Sequence, residues 1–158
     1  MSAVFSEDRV YRYRLERVVA PLAGRGSVCF IMLNPSTADE EVNDPTIRRC
    51  MGYAEDWGYR RLVVVNLFAY RATDPRELRK APEPYGAENG FHLFRAAIGA
   101  DLVVGAWGAH GEWLNSGRNL MLGFRPRGIT IKALGLTKRG QPVHPLYQRA
   151  DLKPEIEL

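Results

Sequence analysis

The sequence predicts an α/β fold, a three-layer α/β/α domain with a mostly parallel central sheet. Two observations carry that prediction. Four short apolar runs, Val28 to Leu33, Arg61 to Leu67, Asp101 to Ala106 and Ile129 to Leu134, have the length and continuity of strands covered on both faces. Segments with apolar residues at helical spacing lie between them, and every run ends in a polar loop or at a glycine. The chain has 158 residues, 46% hydrophobic and 25% charged, which suits one globular domain over 1–158 and excludes a disordered chain.

The elements follow in order. Residues 10 to 19 alternate, with Tyr11, Tyr13 and Leu15 on one side and Arg12, Arg14 and Glu16 on the other. Period two predicts a half-exposed strand at a sheet edge. Pro21, Gly24 and Gly26 make a turn before the first buried strand, which stops at Asn34-Pro35-Ser36-Thr37. Asp44 as N-cap and Pro45 at the first helical position open a helix. Ile47, Cys50, Met51, Ala54 and Trp57 form its apolar face, and Gly58 ends it.

The second buried strand runs into the loop Tyr70 to Pro75, and residues 76 to 89 are expected to be a surface excursion. Phe91, Phe94, Arg95 and Ile98 are spaced for a helix over 89–98. The third strand leads into Trp107-Gly108-Ala109-His110-Gly111 and a helix to about Leu122. After the fourth strand, a Pro-rich loop holds His144 between Pro142 and Pro145. In open α/β sheets, ligands bind at the carboxyl edge. Loops 34–44, 66–75, 107–111 and 137–147 are therefore expected to converge on one cleft.

Charge and cysteines limit the function classes. Net charge is +4 with a pI near 9.3. That balance suits a polyanionic partner but falls short of a dense basic stripe. Cys29 and Cys50 lack metal or disulfide spacing and are expected to be core thiols. The three histidines are too far apart in sequence to suggest a metal site. No apolar run spans a bilayer, and Glu7, Asp8 and Arg9 precede any such run, so no membrane role and a cytoplasmic location are expected.

Each loop offers chemistry beside an ordinary structural use. Asn34 can hold a water or read a polar ring edge, or it can bond its own turn, as Ser36 can. Asp44 caps a helix or serves as a general base or cation ligand. A buried Asn66 must find partners, in a ligand or in neighbouring loops. Arg71 suits a phosphate or carboxylate clamp, or stays solvated. Trp107 stacks on a base or packs in the core. The small residues around Gly108 let backbone N–H groups approach an anion. His144, fixed between prolines, can donate a hydrogen bond to developing charge or act as acid or base.

The stretch Ile31-Met32-Leu33-Asn34-Pro35-Ser36-Thr37-Ala38-Asp39, then Asn43-Asp44-Pro45-Thr46, Val65 to Thr73 and Gly105 to Gly108, resembles the bacterial family known as domain of unknown function 1643. That resemblance covers nearly the whole chain and implies no activity. A second resemblance, in the order of elements, is to the uracil-DNA glycosylase superfamily. Asn34-Pro35 is similar to its water-activating motif, and Val65-Asn66 to Arg71 to a later strand and basic-polar loop. Val103 to Gly108 resembles a strand and helix start, and His144-Pro145 a C-terminal His-Pro loop.

The second resemblance implies a glycosylase-like fold and a hydrolase of DNA repair that cleaves a nucleobase N-glycosidic bond. Asn34 would orient the attacking water, His144 would stabilise the departing base, and Asn66 and Arg71 would sit near the base or a phosphate. Leu146 stands where the superfamily has a serine that helps hold the DNA backbone. Ser36, Thr37 and Ala38 occupy the stretch of its base-stacking aromatic. The expected catalytic residues are Asn34, His144 and Asp44. The expected substrate contacts are Pro35, Ser36, Thr37, Asn66, Arg71, Trp107 and Gly108. No cofactor or metal is expected, and the partner is DNA or a smaller nucleotide or nucleoside. A non-catalytic nucleic-acid or nucleotide binder is the alternative from another class.

Overall fold

The structure, a computed structural model, describes residues 1–158. It is an α/β fold with a seven-stranded mixed sheet and four α-helices. The strands are β1 (Ser2–Phe5), β2 (Arg12–Val18), β3 (Arg25–Met32), β4 (Tyr59–Asn66), β5 (Leu102–Gly105), β6 (Lys132–Ala133) and β7 (Ile156–Glu157). The helices are α1 (Pro45–Asp56), α2 (Pro75–Lys80), α3 (Asn89–Ile98) and α4 (Ser116–Phe124).

Spatially the strands run β1-β2-β4-β3-β5-β6-β7. The four central ones are parallel, and β1, β2 and β7 are antiparallel to their neighbours. The chain leaves β3 through α1 toward β4, and later leaves β5 through α4 on the way to β6. Those two exits diverge, which opens a crevice beyond the carboxyl ends of β3 and β5.

Strand alternation separates the core into two clusters. Val28, Phe30 and Met32 face Ile47, Cys50, Tyr53 and Ala54 of α1. Cys29 and Ile31 point the other way, toward Leu78 of α2, Leu93 and Ala96 of α3 and Phe124 of α4. Both cysteines are buried and unpaired, and burial pushes the Cys29 thiol up to about 12.

Helix α1 begins as the sequence predicts, with the Asp44 carboxylate accepting from the Ile47 N–H at 2.8 Å. Gly58, which follows it, has φ +81°, a conformation that glycine adopts without cost. No helix is long and apolar enough to cross a membrane.

Several expectations need correction. The 10–19 strand is not an edge, because β1 pairs outside it. Its strict alternation also fails. Val4 pairs with Arg14 and Phe5 with Arg12, so β2 carries one extra residue there. Such a bulge reverses the facing of what lies beyond it. Tyr13 consequently stacks on His92 of α3, while Arg12 turns inward and donates to the Ala38 carbonyl at 2.8 Å.

The 76–89 excursion contains α2, capped by Asp74, whose carboxylate accepts from the Arg76 N–H. The helix predicted to run from the Trp107–Gly111 loop to about Leu122 is broken. A 3₁₀ segment over Ala109–Asn115 precedes α4, and Leu114 and Asn115 take positive φ between them. The fourth strand shortens to Lys132–Ala133.

Candidate functional site

The crevice is a cleft of ≈ 530 Å³ lined from all four predicted loops, within the range of about 300–1,000 Å³ usual for small-molecule sites. Asn34, Ser36, Thr37 and Asp44 come from the loop after β3, Asn66 ends β4, and Ala72 and Thr73 come from the loop after it. Trp107, Gly108 and His110 follow β5, and His144 with Tyr147 completes the wall.

Backbone bonds tie these loops together. The Leu67 and Phe68 N–H groups donate to the Met32 and Leu33 carbonyls, and the Gly108 N–H donates to the Pro142 carbonyl at 2.8 Å. Gly108 has φ +72°, and a Cβ there would lie 3.6 Å from that of His144.

Asn34 donates its amide to the Ala72 carbonyl at 2.7 Å and to the Pro35 carbonyl at 3.1 Å. These carbonyls fix Nδ2 as the donor, which leaves Oδ1 without a protein partner in a residue that lines the cleft. Asn66 is 1% exposed, and neither its Nδ2 nor its Oδ1 has a partner. A buried carboxamide with both ends free is costly unless something else completes it.

His144 accepts the Leu146 N–H at Nδ1, 3.2 Å away. A neutral imidazole held in that way carries its proton on Nε2 and is a donor there. Burial holds it below its ordinary 6.5, while the nearby Asp44 carboxylate works against that shift. His144 at neutral pH is thus an uncharged donor. His92 is held low in the same direction, chiefly by burial.

The unfolded chain protonates these imidazoles near 6.5 while the folded chain resists. Their contribution to stability is therefore complete above about pH 6.5 and disappears as pH falls through the folded values. Melting temperature is expected to drop as pH falls below about 6.5, and the drop should shrink in the His92→Gln, His144→Gln double variant. Equal slopes for the two proteins would refute this. Glu40 titrates well below this range, at about 2, through its bond with Arg9.

Asp44 lines the cleft as well as capping α1. The two roles separate by substitution. Asp44→Ala is expected to cost about 1 kcal/mol, whereas Asp44→Asn preserves the cap to within a few tenths. If the carboxylate also serves chemistry, Asp44→Asn loses turnover at unchanged stability. Urea unfolding beside an activity assay reads both.

Other expected residues are placed differently. Pro35 does not line the cleft; its carbonyl accepts from Asn34 and from the Ala72 N–H. Arg71 turns away too, donating to the Arg9 and Ser36 carbonyls with its guanidinium 4.9 Å from the Phe5 ring. Trp107 is 3% exposed, and its indole N–H donates to Gln141 Oε1 at 2.8 Å. A Cβ on Gly117 would meet that indole at 2.8 Å and one on Gly105 at 2.9 Å. Its ring therefore fills a glycine cradle and packs as a core side chain, although the residue also lines the cleft. Gly108 is followed by the 3₁₀ segment Ala109–Asn115 and not by an α-helix, which begins only at Ser116, so the expected anion site lacks an α-helix dipole.

Sequence reasoning missed Arg12, Thr46, Thr73, His110 and Tyr147 in the lining. His110 and Thr73 lie within loops expected to converge, so position alone could have indicated them. Tyr147 is 84% exposed in its side chain's surroundings at the rim, with its ring 6.2 Å from that of His144. Nothing in the alternating pattern of β2 signals Arg12. No three His, Cys, Asp or Glu side chains gather in a group that could hold a metal ion.

Fold and cleft together define an α/β protein with a ligand-sized cleft at the carboxyl edge of a mixed sheet. The family model described as protein of unknown function (DUF1643) matches residues 12–146, and the chain belongs to that family. No curated protein and no solved structure matches it.

Proposed function

We propose that this cleft hydrolyses a nucleobase N-glycosidic bond, with DNA as the first substrate to test, in a three-layer α/β/α domain like that of uracil-DNA glycosylases. The observation that carries the reading is the unpaired, buried carboxamide of Asn66 in a cleft that Asn34 and His144 also line. A carboxamide with a free donor and a free acceptor matches the adjacent acceptor and donor of a nucleobase edge. The central strand order supports the fold reading, since the crevice lies at the divergence of β3 and β5.

In this mechanism Asn34 Oδ1 holds a water against the anomeric carbon. The C–O bond forms as the C–N bond breaks, and the base departs with the bonding electron pair. His144 donates from Nε2 to the charge that develops on it. Asp44 has one carboxylate oxygen on the Ile47 N–H, and the other takes the water's proton. The products are a free base and an abasic sugar. Tyr147 at the rim offers an exposed aromatic face for stacking, whereas the Trp107 ring is almost wholly buried. A base in a duplex would have to flip out to reach this cleft.

The test is release of free base from single- and double-stranded oligonucleotides carrying uracil, hypoxanthine or other altered bases, beside the corresponding nucleosides. Release at a rate set by protein concentration supports the hydrolase. If ligands bind but no free base appears from any substrate, the protein is a binding module. Salt distinguishes DNA from a small ligand, because phosphate contacts lose affinity steeply with salt and a nucleoside hardly responds.

A further inference from the structure

We infer that the buried end of the ligand is negatively charged and that Arg12 is the residue that recognises it; this rests on the nucleobase reading of the same cleft and names the class of base. Arg12 lines the cleft at 2% exposure, on the strand next to the one that ends in Asn66. One of its amino groups donates to the Ala38 carbonyl at 2.8 Å, and its Nε is buried with no partner. None of the seven ion pairs in the protein includes it.

Arg17 shows how this fold treats a buried guanidinium that is only structural. It lies on the same strand, is fully buried, and donates to Asn43 Oδ1 and to the carbonyls of Ser2, Glu16, Asp39 and Val42. Arg12 receives one acceptor where Arg17 receives five. An arginine desolvated without acceptors is destabilising unless a ligand supplies them. Burial lowers its affinity for the proton, to about 10, and it stays charged at neutral pH. Asp44 and Asp39 act on it only through space.

The position says which part of a ligand reaches it. A DNA backbone stays at the mouth of such a cleft, while the flipped base enters. Arg12 and Asn66 are among the least exposed residues of the lining, so they meet the base and not the phosphate. In glycosidic cleavage the base takes the electron pair of the broken bond and leaves as an anion. Arg12 is placed to carry the opposing charge, and it selects bases that are acidic or bear a carboxylate. A bulge in β2 turns this side chain inward, a device common beside functional sites.

Calorimetric titration of the intact protein with matched free bases tests this. Uracil is compared with 6-carboxyuracil at neutral pH, and hypoxanthine with the more acidic xanthine at mildly alkaline pH. The charged member of each pair is expected to bind about 10- to 100-fold more tightly, as a charge-assisted hydrogen bond implies. Arg12→Gln and Arg12→Met, checked for folding by circular dichroism, should remove that preference. Asn66→Ala should weaken both members and leave the preference in place.

Equal affinity for charged and neutral bases in the wild type overturns the inference, and so does failure of every base to bind. That comparison stands even if the Arg12 variants do not fold. A preference that survives in Arg12→Gln also overturns it. Inorganic phosphate serves as the second arm: competition by phosphate that is lost in Arg12→Gln would mark a phosphate site and overturn the assignment to the base. A charge preference without base release would keep this inference and defeat the hydrolase.

Discussion

Asn34→Ala is expected to lower the rate of base release by about 10²–10⁴-fold, the range for groups that position or activate a reacting water. His144→Ala is expected to cost about 10²–10³-fold, as for removal of one donor from a site of developing negative charge. Single-turnover assays under saturating protein separate these losses from binding. Asn34→Ala also removes the amide that joins the loop after β3 to the Ala72 carbonyl, so about 1 kcal/mol of stability goes with it. Substrate affinity should change much less than the chemical rate in both variants. If either releases base at the wild-type rate, that residue has no part in the chemistry.

Trp107→Ala carries the largest expected effect on stability, about 3–5 kcal/mol, out of the 5–15 kcal/mol typical of a domain. Its indole packs against Gly105, Gly111 and Gly117 and donates to Gln141. Losing it opens a void at the base of the loop after β5 and removes the donor to Gln141 Oε1. Trp107→Phe retains most of the packing and loses the hydrogen bond, so a smaller cost is expected. Urea denaturation of the three proteins gives the comparison. An alanine variant within about 1 kcal/mol of wild type would contradict a core role. A base-stacking role would instead appear as lost ligand affinity at unchanged stability.

The parts of the fold that could be read from the sequence are those fixed by local rules. Continuous apolar runs marked β3, β4 and β5, because strands buried on both faces need apolar side chains at every position. Asp44-Pro45 located the start of α1, because the Asp44 carboxylate accepts from one of the four N–H groups a helix start leaves unpaired and Pro45 has no N–H to leave unpaired. β7 had no such mark. Ile156–Glu157 forms only two pairings with β6, and those depend on where the rest of the sheet already lies. The break at Leu114 and Asn115 was also hidden: Asn tolerates positive φ better than most residues, but Leu114 carries no such signal.

The candidate site divides on the same line. Loops that follow parallel strands must leave from one edge, so Asn34, Asn66, Trp107 and His144 could be assigned to a common region from chain order alone. How each side chain is placed at the cleft was decided by contacts between distant segments. Arg71 was taken up by the Arg9 and Ser36 carbonyls, and Trp107 by its glycine cradle.

By itself, then, the sequence determined the α/β class, the places of β3, β4 and β5 along the chain, the principal helix cap and the edge at which the cleft opens. Each of these depends on residues near one another in the chain. Tertiary structure decided which polar groups were left unpaired in the cleft. Arg12 is the clearest case: an alternating pattern placed it outward, and one extra residue in the pairing of β2 with β1 turned it inward. Register between strands is set by how two segments fit, and neither segment carries that information alone.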